Sequence, residues 1–207
     1  MTSADLELPS VVVFDLGGVL ADFGGLGPLR QMSGIESDEE LWRRWLTSEP
    51  VRRFESGLGS DEEFAAALVV DWQLPITPDE LLEMFPGWLV GAYDGAVELV
   101  RETAQHARVA CFSNSNRLHW EAGVERWPLL KEFDRAFVSF EIGAVKPDPE
   151  AFEIVVRELA VPASRTLFLD DNQLNVDAAL SVGMRAQRVR GVDGARAALV
   201  DVGLLSM

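Results

Sequence analysis

Five short strand-like runs, VVVF (residues 11–14), RVACFS (108–113), RAFVS (135–139), TLFLD (166–170) and AQRV (186–189), alternate with segments of helical periodicity. No other feature of the chain constrains its fold as much. Short, strongly apolar strands of this kind become buried on both faces of a parallel sheet, because the helices crossing between parallel strands cover both sides. Helix-length connections between successive strands give right-handed crossovers. The expected fold class is α/β, a doubly wound, mainly parallel five-stranded Rossmann-like sheet. With 207 residues and 48% hydrophobic content, the chain can bury a full core.

One interval breaks the alternation. After Phe23, ESDEELWRRWLTSEPVRRFESGLGSDEEFAAALVVDWQL and TPDELLEMFPGWLVGA place Leu, Trp, Phe and Ala at helical spacing, with no strand-like run between them. Ser37 and Ser60 precede acidic first turns, and Thr77 precedes Pro78, Asp79 and Glu80; each is a good helix start. The expected organisation is a Rossmann-like core of residues 1–23 and 93–207, with a helical cap of residues 24–92 inserted into it. Met1 to Pro9 reads as a frayed lead-in to the first strand.

The net charge of −16 and pI near 4.4 argue against nucleic acid or an anionic membrane as partner, since both need a basic face. The single cysteine, Cys111, rules out an internal disulfide, and the chain shows neither a charged-then-apolar leader nor a bilayer-length apolar run. A reduced, cytoplasmic monomer is expected. There are two lysines in the chain, so an isolated lysine in a suggestive place carries information.

In an open α/β sheet the C-terminal ends of the strands face the ligand crevice. Asp15 stands at that end of the first strand, followed by Gly17 and Gly18, which permit a sharp turn and a close backbone approach. A carboxylate there can attack phosphorus and split one hydrolysis into two easier steps, although a turn or capping aspartate would look the same. Ser113 can donate to a phosphoryl oxygen, and Asn114 can fix either the loop or the substrate; both are also ordinary turn residues. Lys146, followed by Pro147, can neutralise phosphate as a point charge. Asp170 and Asp171 are adjacent acids whose mutual repulsion a hard divalent cation such as Mg2+ would relieve.

In order and spacing, Asp15, the pair Ser113 and Asn114, Lys146 in GAVKPDPEAF, and the pair Asp170 and Asp171 resemble the four motifs of the haloacid dehalogenase superfamily, over essentially the whole chain. The resemblance implies a Mg2+-dependent phosphatase of small phosphorylated metabolites. Asp15 is then the nucleophile, Ser113 and Lys146 hold the phosphoryl group, and the metal is held by Asp15, the Gly17 carbonyl and Asp171, with Asp170 acting through water or hydrogen bonds.

Phosphatases of this superfamily usually carry a second aspartate two residues after the first, which protonates the leaving oxygen. Here that position is Gly17. Loss of such a group typically lowers rate by about a hundredfold to ten-thousandfold. FDLGGV, SNSNRLH, RRFESGLGSDEEFAAAL and FLDDNQLNVDAA are similar to the α-D-glucose-1-phosphate phosphatase subgroup, which also lacks the second aspartate, and an anomeric oxygen needs acid help least. Two other readings stand beside this one: a catalytically silent phospholigand-binding protein, and a dehalogenase, which would need neither acid nor metal.

Substrate selection is expected in the cap. Arg43, Arg44, Arg52 and Arg53 are candidates for a second anionic group or for ordinary ion pairs, and Trp42, Trp45, Trp72 and Trp88 for stacking on a sugar or for packing the cap. Just after the second motif, Arg117 is a candidate for substrate binding and His119 for an acid or a structural histidine. Asp22 is a candidate for the cap hinge.

Overall fold

A computed structural model of the chain describes residues 7–24 and 26–206; of the expected lead-in, residues 1–6 lie outside the described residues. From the N-terminus, β1 (Val11–Phe14) is followed by a tight turn and a two-residue strand β2 (Ala21–Asp22). Helices α1 (Leu26–Ser33), α2 (Asp38–Thr47), α3 (Glu49–Glu55), α4 (Asp61–Trp72) and α5 (Pro78–Met84) then lead to β3 (Gly91–Ala92). The alternation resumes with α6 (Ala96–Ala104), β4 (Arg108–Ser113), α7 (Arg117–Ala122), β5 (Arg135–Val138), α8 (Ser139–Ile142), α9 (Pro149–Leu159), β6 (Thr166–Asp170), α10 (Gln173–Ser181), β7 (Arg185–Arg188) and α11 (Gly191–Asp201). The fifth strand begins one residue earlier than its apolar pattern indicates, because Arg185 pairs with Leu167 of β6.

The five-stranded sheet has the order β5-β4-β1-β6-β7 and every pairing in it is parallel. β1 is central and buried throughout, and its residues alternate between the two faces. Val12 and Phe14 pack with Val109, Cys111, Leu167 and Leu169 on one side, whereas Val11 and Val13 pack with Ala110, Phe112 and Phe168 on the other. The chain leaves β1 for β4 on one flank and reaches β6 on the other. The ends of these three strands therefore meet at a topological switch point.

Helices α1 to α5 build a separate apolar cluster in which Trp45 meets Trp72 edge-on at 6.0 Å and Phe54 stacks on Phe64 at 4.2 Å. The helix starts follow from the sequence: Ser37 Oγ accepts from Glu40 N, while Ser60 with Glu63 and Thr77 with Glu80 close reciprocal capping boxes. Each cap stabilises its helix by about 1 kcal/mol. The antiparallel pair β2 and β3, Ala21 opposite Ala92 and Asp22 opposite Gly91, brings together the two places where the chain leaves and rejoins the sheet region. Among the described residues no helix is long and apolar enough to cross a membrane.

Candidate active site

The amide of Asp15 still donates to Leu169 O at 2.8 Å, so its carboxylate departs at the C-terminal edge of the sheet. Oδ1 accepts from Leu16 N at 2.8 Å. The backbone then folds back, with Leu20 N and Ala21 N both donating to Leu16 O at 2.9 and 2.7 Å. Gly18 has φ of 71°, and a Cβ there would lie 2.6 Å from Asp171 Oδ2, so only glycine lets this turn pass so close to the end of β6. Gly17 is different. A Cβ on it would meet only the Phe23 ring edge, at 3.3 Å, and its backbone is outside the left-handed region.

Lys146 is 2% exposed. Its ammonium contacts Asp15 Oδ1 at 2.9 Å and donates to Asp170 Oδ2 at 2.8 Å and to Phe112 O at 3.0 Å, between the rings of Phe112 and Phe168. Burial alone would favour the neutral amine, but the carboxylates of Asp15 and Asp170 hold it above the ordinary lysine range. The Asn114 carboxamide grips the Lys146 backbone: Nδ2 donates to Lys146 O and Oδ1 accepts from Lys146 N, both at 2.9 Å. Ser139 Oγ holds the same loop through Ser115, accepting from its amide and donating to its carbonyl, both at 3.0 Å.

Asp170 is fully buried and both its oxygens are engaged, by Lys146, by Asn172 N at 2.8 Å and by Asn175 Nδ2 at 3.0 Å. Asp171 has no ion-pair partner among the described residues; burial and the Asp170 charge raise its pKa, against the opposing pull of Lys146, Arg190 and Arg188. Asp15 is likewise pushed up, chiefly by burial and then by the neighbouring acids, with Lys146 opposing. The carboxylate oxygens of Asp15, Asp170 and Asp171 lie within 4.8 Å of one another. Three acids against one buried lysine leave negative charge that a cation would balance, and the donors, hard oxygens, suit Mg2+. Of the three acids, Asp171 is the one with no ion-pair partner among the described residues, while Asp15 shares Oδ1 with Leu16 N and Lys146.

These residues form the floor of a cavity of about 950 Å³ whose opposite wall comes from the helical segment, including Trp42, Arg43, Trp45, Glu55 and Trp88. Ser113 and Asn114 line it, as do Asp22, His119 and Gly17. Arg117, expected beside the crevice, is not among the lining residues: its guanidinium pairs with Asp61 of α4, with Nε at 2.8 Å and Nη2 at 2.7 Å from Oδ1. That partner is 56 residues away in sequence, so the pairing could not be read from the motif. Of the arginines in the helical segment, Arg43 lines the cavity while paired with Glu39, Arg44 lies over Trp72, Arg52 pairs with Asp148 at 2.6 Å, and Arg53 stands 4.0 Å from Glu63. Trp72 packs inside the helical cluster, Trp45 and Trp88 belong to it and also reach the cavity, and the exposed Trp42 lines the cavity from outside it.

His119 stacks on Phe85 at 4.1 Å with Nε2 2.9 Å from Phe85 O, and burial brings its pKa down to about 4. It is a neutral structural ring rather than an acid. Four contributors were not singled out from sequence: Asn175, Ser139, the pair Arg188 and Arg190, and Glu55. Of these, Asn175 lies in FLDDNQLNVDAA, where an amide one turn after a buried acid is a legible signal.

A family model described as haloacid dehalogenase-like hydrolase matches residues 9–183. The chain is 27% identical over 197 residues to a phosphatase of Mycobacterium tuberculosis, covering 87% of each, and 25% identical over 192 residues to the D-ribitol-5-phosphate phosphatase of Bacteroides thetaiotaomicron, covering 88% of this chain and 93% of that one. A haloacid dehalogenase family enzyme of Bacteroides thetaiotaomicron, solved with magnesium and inorganic phosphate, shares the fold with a TM-score of 0.67 and 20% identity, over 88% of this chain and 94% of that one.

Proposed function

The chain belongs to the haloacid dehalogenase-like hydrolase family, and from that premise we propose that it is a Mg2+-dependent phosphatase of small phosphorylated metabolites, a sugar 1-phosphate favoured, acting through a phosphoaspartate on Asp15. The observation that carries this reading is the placement of Lys146 between Asp15 and Asp170, beside an Asp171 that has no ion-pair partner among the described residues. Asp15 is poised to attack phosphorus, with the Ser113 hydroxyl as donor to the phosphoryl oxygens and Lys146, its three donors on Asp15, Asp170 and Phe112, as the buried positive charge beside them. Asn114 positions Lys146, and Asn175 positions Asp170. Held by Asp15, Asp171 and the Gly17 carbonyl, Mg2+ would supply charge neutralisation for the phosphoryl group. The reading treats residues 24–92 as a cap over a core of 1–23 and 93–207, with selectivity set by cap residues such as Trp42 and Arg43. A monomeric, cytoplasmic state is part of the same proposal, on the acidic composition and single cysteine.

Halide displacement has no use for a cluster of three carboxylates beside an anionic substrate, which places that reading lower. Silent phospholigand binding is favoured by one observation, Gly17. The deciding experiment is phosphate release from a panel of sugar phosphates and p-nitrophenyl phosphate, with Mg2+ and with EDTA, beside Asp15→Asn. Metal-dependent turnover lost in the variant supports the phosphatase. No release above the variant's background, from folded protein that binds Mg2+, overturns it in favour of binding.

A further inference from the structure

On the core side of the cavity, the groups that the sequence offered as an acid, together with Lys146, have no proton to spare for a departing ester oxygen. Position 17 is glycine, His119 is neutral and tied to a carbonyl, and Lys146 already spends its donors on Asp15, Asp170 and Phe112. The opposite wall carries three acids, Asp38, Glu39 and Glu55; Asp38 is paired with Arg30 and Glu39 with Arg43, both exposed, and of the three Glu55 is the buried one. Glu55, the last residue of α3, is 6% exposed and lines the same cavity as Asp15 and Lys146. Trp45 Nε1 donates to its Oε1 at 3.2 Å, while Oε2 receives no hydrogen bond among the described residues. Oε2 is thus the oxygen left to meet a molecule in the cavity.

Three contacts between the helical segment and the sheet region bracket Glu55 and hold its stretch of chain against that region. Three residues before it, Arg52 pairs with Asp148 at 2.6 Å, two positions from Lys146. Two residues after it, Gly57, at φ 79°, lies so close to the Phe140 carbonyl oxygen that a Cβ there would overlap it. Six residues after it, Asp61 pairs with Arg117 at 2.7 Å. The charged groups acting on Glu55 are Lys146 from the sheet side and Arg52 from its own helix, the latter already bound to Asp148. Both favour the carboxylate, as does the Trp45 hydrogen bond, yet burial outweighs them and pushes the pKa up to about 7. A group balanced near neutrality can give up a proton and take one back within a single cycle.

We propose that Glu55 is the catalytic acid and base of this site, doing from the helical side the work that an aspartate at position 17 would do from the core. The proposal rests on the phosphatase reading above. Asp15 attacks phosphorus and its oxygen bonds to it; the ester P–O bond breaks, its electron pair goes to the ester oxygen, and that oxygen takes the Glu55 proton and leaves as an alcohol. The Glu55 carboxylate then takes a proton from the water that attacks the phosphoaspartate. The bond from phosphorus to Asp15 breaks with its pair returning to Asp15, inorganic phosphate departs, and Glu55 ends protonated.

The test is Glu55→Gln, which keeps the volume and the acceptor for Trp45, measured with Mg2+ on alkyl phosphates and on aryl phosphates of graded leaving-group acidity. The expected result is a fall in kcat of about 10²- to 10⁴-fold on alkyl phosphates with little change in KM. The rate should depend more steeply on leaving group, and p-nitrophenyl phosphate should give a burst of nitrophenolate followed by slow turnover. Melting temperature gives a readout independent of turnover. A carboxyl raised in the folded state stabilises below its unfolded pKa and loses that contribution as pH rises through about 7, so Glu55→Gln should melt above the wild type at pH 8 and level with it at pH 4. Trp45→Phe, which removes the one hydrogen bond to Glu55, should move the alkaline limb of the wild-type kcat/KM profile upward from about 7. A wild type active on alkyl phosphates, with Glu55→Gln within about threefold in kcat and an unchanged leaving-group slope, overturns the role of Glu55 alone. A wild type with no turnover overturns the phosphatase reading instead.

Discussion

The Asn114 side chain holds the Lys146 main chain from both sides, donating to its carbonyl and accepting from its amide at 2.9 Å each. Through this pair of bonds the loop after β4 sets the position of an ammonium whose three contacts are all buried. Asn114→Ala should cost about 1–3 kcal/mol of stability from the unpaired backbone groups. It should also lower kcat by on the order of a hundredfold through misplacement of Lys146. Chemical denaturation and steady-state kinetics on the best substrate of the panel check the two together. Normal kcat with raised KM would instead mean that Asn114 serves the substrate directly.

The two glycines after Asp15 should respond oppositely to the same change. Gly18→Ala forces an L side chain into the left-handed region, at about 1–2 kcal/mol, and drives a methyl into the Asp171 carboxylate. Mg2+ affinity should fall at least about tenfold, by displacement of a ligand-bearing side chain. Gly17→Ala adds a methyl facing only the Phe23 ring edge and should keep affinity within about threefold. Calorimetric titration with Mg2+ measures both, and equal losses would contradict the geometry.

His119 makes stability fall with acid in a defined window. Its folded pKa, depressed by burial to about 4, lies below the ordinary value of 6.5, so the unfolded chain binds the extra proton first as pH falls. Roughly 3 kcal/mol of stability, fully present above pH 6.5, should be lost on descending to pH 4. His119→Phe keeps the stack on Phe85 and loses the bond to its carbonyl, so it should be less stable than wild type at pH 7 by about 1–3 kcal/mol. That gap should narrow toward pH 5. Urea unfolding at the two pH values checks this, and the activity profile between pH 6 and 9 should keep its shape because the ring is neutral throughout.

The sheet was legible because every strand of it announces itself locally. VVVF and TLFLD can only be buried, and Asp15 and Asp170 sit at strand ends by sequence alone. Ser60 and Thr77 are equally local, since a capping box joins residues three positions apart. What stayed hidden was long-range. Nothing near Arg117 indicates Asp61, and nothing near Asn114 indicates the backbone of a residue 32 positions away. Glu55 looks like a solvated helical glutamate in RRFESG. Its burial depends on Trp45 ten residues before it and on the sheet region beyond.

Gly17 can be used to ask whether the two walls of the cavity share one task. An aspartate at 17 needs Phe23 to yield by a few tenths of an ångström and meets no backbone strain. In the wild type, where Glu55 already provides the proton, Gly17→Asp should raise kcat on alkyl phosphates by less than about threefold, or lower it slightly through added negative charge beside Asp15. In the Glu55→Gln background the same change should recover at least about tenfold, because general acid catalysis is then otherwise absent. The four enzymes form a double-mutant cycle, and the coupling between positions 17 and 55 is the quantity it isolates. Additive effects would mean that the two residues do unrelated things, whereas a rescue confined to the Glu55→Gln background would mean that the fold accepts the proton from either side of the cavity.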